Sequence, residues 1–202
     1  MKLRERDLEI DFTDAIDAIV FDQMNRKKSG YHGIGEMHRV DFVVELEEAI
    51  LFVEVKDPGN PKAQPEGLEK FYGELADGTL GDTFAAKFID TFLYRWAEEL
   101  LHKPVHYLSL VTFEDSELFP NFSDEIARKL PPMGKVMPRW KRQLVENCQV
   151  FNIDLWNDSF PKWPATRIAP SVKASRNGKT IADDWQQAGA PVHEQDLEKN
   201  DE

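Results

Sequence analysis

Two of the most hydrophobic short runs in the chain, Val40-Asp41-Phe42-Val43-Val44 and Ile50-Leu51-Phe52-Val53-Glu54-Val55-Lys56, flank the polar pair Glu47-Glu48. Short and rich in Val, Ile and Phe, they read as two strands of a hairpin. If the connection holds an even number of residues centred on Glu47-Glu48, paired positions sum to 95. Leu46 then faces Ala49, and Asp41 faces Glu54. Side chains alternate along a strand, so Ile50, Phe52 and Lys56 share the face that carries Glu54.

Helical spacing marks other segments. Phe12, Ala15, Ile16, Ile19, Val20 and Gln23 predict a first amphipathic helix over Asp11 to Gln23. A second, longer helix is predicted from Asp82 or Thr83 to about Leu101, where Phe84, Phe88, Phe92, Trp96 and Leu100 form an apolar stripe. Between them, Asp57-Pro58-Gly59-Asn60-Pro61 forces the chain out of its strand into a loop. Val105 to Phe113 alternates as a third strand, Ser123 to Leu130 and Pro138 to Asn147 read as shorter helices, and Val150 to Leu155 as a fourth strand. This order predicts an α/β sandwich around a mixed sheet. One strand is still wanting, to be found in Gly30 to His38 or elsewhere.

At 202 residues and 41% hydrophobic content, the chain is long enough for one domain with a substantial core. That domain is expected over residues 1–168. From 169 to 202 the composition turns to Ser, Lys, Asn, Gly and acid, which predicts a polar, flexible extension. The N-terminus lacks an apolar stretch of signal-peptide length, and no run approaches the roughly 18 apolar residues of a membrane span. A soluble, cytoplasmic protein is expected. The single cysteine, Cys148, excludes an intrachain disulfide and a cysteine-based zinc site. Its expected role is that of a small buried hydrophobe. His102 and His106 are separated by Pro104, so they share no helical face as zinc ligands would. A phosphate-cradling glycine motif ending in Lys-Ser or Lys-Thr is missing too, which argues against use of nucleoside triphosphates.

Net charge is -12, which disfavours simple tight binding of polyanions. Its distribution is uneven. Met1 to Ala127 carries 13 basic and 27 acidic residues, Arg128 to Ala182 carries 11 and 3, and Asp183 to Glu202 carries 1 and 7. The middle segment interleaves Trp140, Phe151, Trp156, Phe160 and Trp163 with Lys141, Arg142, Lys162 and Arg167. Such a mixture suits backbone contact and base stacking, with Lys141 and Arg142 as candidate nucleic-acid contacts, although aromatics of this kind more often build the core.

Charges inside the two hydrophobic runs need an explanation, because an ionised carboxylate among apolar groups must be paired, metal-bound or neutralised. Directly opposed residues have Cβ atoms about 4.5 to 5.5 Å apart, and two like charges there destabilise the sheet. At an effective dielectric near 20 the repulsion is roughly 3 to 4 kcal/mol. A divalent cation between them reverses the sign. Hard cations are commonly held by one or two carboxylates, with water and substrate phosphate oxygens completing the shell. Lys56, roughly 7 Å along the strand from Glu54, is placed to meet a phosphate or an attacking water. A solvated cross-strand charge cluster is the alternative, and Ile50 and Phe52 on the same face count against it.

Asp41, twelve intervening residues and then Glu54-Val55-Lys56, set in adjacent hydrophobic strands, resemble the PD-(D/E)xK nuclease superfamily over roughly Leu8 to Leu155. Val40 stands where the family's name has proline. The resemblance implies a restriction-endonuclease-like αβββαβ core with a mixed central sheet flanked by helices, and a Mg²⁺- or Mn²⁺-dependent nuclease acting on nucleic acid, with DNA the expected substrate. It further implies that Asp41 and Glu54 bind the metal, that Val55 offers its backbone carbonyl, and that Lys56 orients or activates water. A further acidic ligand from the first helix is implied as well; Asp14, Asp17 and Asp22 are available, with Asp22 preferred. Lys87 and Thr91, at i and i+4 on the long helix, resemble a polar pair that some nuclease families place near the metal. The alternative is an exposed face with a local Lys87–Asp90 ion pair. A contrasting functional reading is a catalytically silent subunit of this fold, docking a protein partner in a DNA-processing or anti-phage defence complex.

Overall fold

In the strand Ile50–Lys56 only the final lysine is partly exposed. This strand forms the middle of a five-stranded sheet in the computed structural model, which describes residues 1–28, 30–31, 33–113, 118–131 and 140–168. In chain order the elements are β1 (Lys2–Glu5), β2 (Leu8–Asp11), β3 (Asp17–Val20), β4 (Phe42–Glu45), β5 (Ile50–Lys56), α1 (Pro65–Asp77), α2 (Thr79–Ala97), β6 (Val105–Val111), α3 (Leu118–Lys129), β7 (Asn147–Phe151), α4 (Ile153–Ser159) and β8 (Ala165–Arg167). The large sheet runs β3-β4-β5-β6-β7, and a smaller one runs β1-β2-β8. β3, β4 and β5 pair antiparallel, whereas β5, β6 and β7 pair parallel, so the large sheet is mixed.

The hairpin register follows the even-turn expectation. Phe42 pairs with Val53, Val43 with Phe52 and Glu45 with Ile50, and Leu46 N–H donates to the Ala49 carbonyl at 2.8 Å. Each face of β5 therefore meets a different core. Ile50 and Phe52 join Phe84, Phe88, Tyr107 and Phe122 beneath the helical layer of α1, α2 and α3. Leu51, Val53 and Val55 join Leu8, Ile10, Phe42, Leu110 and Trp156 on the side of the small sheet and α4. Glu54 alternates onto the helical face, which buries a carboxylate between sheet and α2.

Several expectations are corrected. The segment Asp11 to Gln23 is no helix: it holds the edge strand β3, which supplies the strand that the sequence order lacked. Ile19 packs against the helical-side core and Ala18 and Val20 against the other, a period of two that backbone pairing with β4 enforces over the helical reading. The stretch after Lys56, expected as loop up to Asp82, contains α1. Pro65 sits at its start, and Leu68, Phe71 and Leu75 recur at helical spacing. Residues 140–146 form no helix, so of the one expected over Pro138 to Asn147 the described part is missing; positions 138 and 139 lie outside the described residues. The last strand of the large sheet is Asn147–Phe151, earlier than Val150 to Leu155, because Asn152 caps α4 by accepting from Leu155 N–H at 2.8 Å. The extension 169–202 lies outside the described residues.

Of the aromatic side chains in the basic segment, Trp140 is exposed and the other four are structural. Trp156 is fully buried, and its indole N–H donates to the Trp163 carbonyl at 2.7 Å, while Phe151, Phe160 and Trp163 pack in the same cluster. Cys148 is buried as expected, and burial pushes its thiol up to about 12. Among the described residues no helix is long and apolar enough to cross a membrane.

Candidate functional site

Asp41 immediately precedes β4, and both its backbone and its side chain are fixed: its carbonyl accepts from Phe21 N–H at 2.8 Å, and its Oδ2 accepts from Val55 N–H at 2.6 Å. The preceding residue is held by α2, where the Thr91 hydroxyl accepts from Val40 N–H at 3.1 Å. Thr91 is wholly buried, so replacing it by valine leaves that N–H unsatisfied. Thr91→Val is expected to cost about 1 to 3 kcal/mol in urea unfolding, and the nearly isosteric change separates this from a cavity effect.

Glu54 sits beside Asp41 on the helical face, 1% exposed against 6% for Asp41. Its Oε1 accepts from Lys87 Nζ at 2.6 Å. Its Oε2 is buried and, among the described residues, has no hydrogen-bond partner. Lys87 therefore points into the sheet, and the local Lys87–Asp90 pair gives way to an Asp90 contact with His38 Nδ1 at 3.0 Å. Both acids resist ionisation. Burial, opposed by Lys87 and the Val55 N–H, lifts Asp41 to about 6. Burial and the Asp41 charge together push Glu54 well above the ordinary glutamate range. Burial works against the Lys87 cation, but Glu54 and Asp41 outweigh it and hold its pKa above the usual lysine value.

These groups form the floor of a cleft of about 550 Å³. Lys56 and Asp22 line it, as do Glu5 and Arg6 from the turn between β1 and β2 and Lys62 from the segment before α1. Asp22 thus reaches the cleft from the loop after β3 rather than from a helix, and it is engaged by Arg39 Nε at 2.8 Å. Asp14 and Asp17 do not line the cleft; Asp14 accepts from the Trp163 indole, and Asp17 from the Ala18 N–H at 2.9 Å. Lys141 and Arg142 also stand apart from it, Arg142 donating to the Leu101 carbonyl at 2.6 Å. Sequence reasoning missed Glu5, Arg6 and Lys62. The hairpin of β1 and β2 carries the first two across the sheet, and no local signal announces where such a hairpin docks.

The loop leaving β5 is anchored as firmly as the acids. Asp57 accepts from Arg167 through both oxygens, at 2.7 and 2.8 Å, and from the Thr112 hydroxyl and Asn60. Although burial opposes ionisation, these partners keep its carboxyl below the usual aspartate range. Arg167 belongs to β8 and also reaches Asp7 at 3.3 Å, so one guanidinium ties the cleft's loop to the small sheet.

Among the described residues no three His, Cys, Asp or Glu side chains group as a metal site by themselves. A hard divalent cation nonetheless fits what is present. It needs only one or two carboxylates when water and substrate complete its shell. An unpartnered buried carboxylate oxygen beside a second buried acid is the donor set that such an ion satisfies.

No protein-family profile and no curated protein matches the sequence. Among solved structures, the small subunit of the heterodimeric restriction endonuclease R.BspD6I is similar with a TM-score of 0.36 and 12% identity, over 87% of this chain and 68% of that one. A similarity of that degree leaves the functional reading to the geometry of the cleft.

Proposed function

We propose that the chain is a Mg²⁺- or Mn²⁺-dependent phosphodiesterase acting on nucleic acid, of the PD-(D/E)xK type. One observation carries the reading: two acids from adjacent strands lie buried at the floor of a solvent-connected cleft, one with an unpartnered oxygen, and lysines stand beside them. A purely structural cluster gains nothing from that arrangement, since burying like charges is costly unless something compensates them. Asp41 and Glu54 would hold the ion, with the Val55 carbonyl as a further oxygen donor. A divalent ion held by these groups would supply polarisation of a phosphate and a water of lowered pKa.

The chain's own groups have definable tasks. The Val55 N–H fixes Asp41 in one orientation, and Lys87 does the same for Glu54 while offsetting part of their negative charge. Lys56, which makes no ion pair among the described residues, is free to steady an attacking water or the charge that develops on the phosphate. DNA is the preferred substrate class. The test is cleavage of plasmid and of labelled oligonucleotides with Mg²⁺ or Mn²⁺, against the same reactions with the ions chelated. Intact substrate under every divalent condition, with protein that still binds nucleic acid or a protein partner, would replace the enzyme with the silent subunit.

A further inference from the structure

Several basic side chains outside the cleft are held in ion pairs. Lys2, Arg4, Lys103, Lys129 and Arg167 are all engaged by acids. Lys62 makes no side-chain hydrogen bond or ion pair among the described residues, and Arg6 has only a loose contact with Glu5 at 3.8 Å, its side chain 75% exposed. Yet these two face the same cleft from different elements, Arg6 at the tip of the β1–β2 hairpin and Lys62 ahead of α1. Arg6 also holds a left-handed backbone, with φ of 55°. Glycine adopts that conformation without penalty, whereas arginine there carries a local backbone cost.

We infer that Arg6 and Lys62, which line the cleft over the buried acids from different elements, clamp the phosphates of a single DNA strand, and that an unpaired strand or frayed end is the substrate in place of continuous duplex. The inference rests on the nuclease reading for its substrate class. Its geometric reason is the burial of the acids. The acids to be reached are 6% and 1% exposed at the floor of about 550 Å³, within the range of roughly 300 to 1,000 Å³ that encloses a small ligand. A duplex is a stiff cylinder whose outward phosphates meet the rim first. A single strand bends, and its phosphodiester can descend between the hairpin tip and α1. The apolar Leu68 and Phe71 wall offers a dry surface for a sugar or base.

Fluorescence anisotropy with a labelled oligothymidylate and a blunt duplex of equal length, ions chelated so that both stay intact, tests this. The expected result is binding of the single strand at least about tenfold tighter, with the log–log salt slope falling by about 0.7 in Arg6→Gly and again in Lys62→Ala. Arg6→Gly removes the charge while relieving the left-handed backbone, so loss of folding does not confuse the outcome. Lys162→Ala, exposed and outside the cleft, should leave the slope unchanged. Equal or tighter duplex binding, no binding to either, or an equal effect of Lys162→Ala overturns the clamp. Metal-dependent cleavage of duplex in preference to single strand would sink the clamp and leave the nuclease standing. Tight single-strand binding without cleavage under any divalent ion would do the reverse.

Discussion

Changing Glu54 to glutamine is expected to reduce metal-dependent cleavage by about a hundred- to a thousandfold, while the protein remains at least as stable as the parent at pH 8. The first half follows from losing a buried anionic ligand: amide oxygen is a far poorer partner for a hard cation, and interactions of this kind at a reacting phosphate are each worth about 10² to 10³ in rate. The second half follows from charge balance. The floor holds two acids against one lysine, and both acids have raised pKa values. Glutamine keeps an acceptor for Lys87 Nζ, leaves Asp41 as the counter-ion, and ends the repulsion between the carboxylates. Asp41→Asn should lose activity to the same degree.

Lys87→Met separates this account from a generic ion pair. It deletes the same salt bridge as Glu54→Gln, yet leaves both acids without their ammonium. Breaking a buried pair from this side is expected to destabilise the metal-free protein on the order of 3 kcal/mol at pH 8, and by less at pH 5, where the acids take up a proton in compensation. Lys56→Ala, by contrast, should lose activity with stability unchanged within about 0.5 kcal/mol, since Lys56 is half-buried and unpaired among the described residues. If Glu54→Gln and Lys87→Met destabilise alike, the acids are not in competition for one counter-charge and the site argument fails.

The floor of this cleft was legible in the sequence because strand periodicity is strict. Once an even turn is placed at Glu47-Glu48, Asp41, Glu54 and Lys56 can share only one face, and the observed pairs Phe42–Val53 and Val43–Phe52 have that register. The long helix was legible for the same kind of reason, its apolar stripe being continuous enough to seat Phe84 and Phe88 on the sheet. Where the reading failed, tertiary pairing overrode a local pattern. Phe12, Ala15, Ile16 and Ile19 are spaced like a helix face, yet Phe12 is buried under the small sheet while Ile16 is 60% exposed. A short segment with β-branched residues gains more from pairing with β4 than from a marginal helix. Helix α1 was hidden by the Pro- and Gly-rich approach to it and by its weak burial, Phe71 being its only fully buried residue. The rim lay beyond local reasoning altogether. Glu5 and Arg6 arrive through a hairpin whose docking is fixed by β8, far along the chain, and by the Arg167–Asp57 pair.

Protons and metal should compete for the floor, and the competition has a definite sign. In the folded protein Asp41 releases its proton near 6 instead of near 3.8, and Glu54 also well above its ordinary value. Between those limits the folded state holds more protons than the unfolded chain, so stability is fully present below the unfolded values and falls as pH rises through the window. At 1.36 kcal/mol per pKa unit, Asp41 alone contributes on the order of 3 kcal/mol, or roughly 6 to 12 °C in Tm for a domain of this size. Carboxylates with lowered values, Glu45 and Asp57 among them, act oppositely and erode stability only as pH drops below about 4. Chelated protein should therefore melt highest near about pH 5 and lower at pH 8. Magnesium must displace the protons these acids hold in order to bind, so its stabilisation should be small at pH 5 and large at pH 8. The Asp41→Asn/Glu54→Gln double variant should flatten both the pH dependence across this window and the response to magnesium. Thermal melts at the two pH values, with and without the ion, decide the matter: a magnesium shift equal at both, or one that survives in the double variant, would place the cation somewhere other than between these two acids.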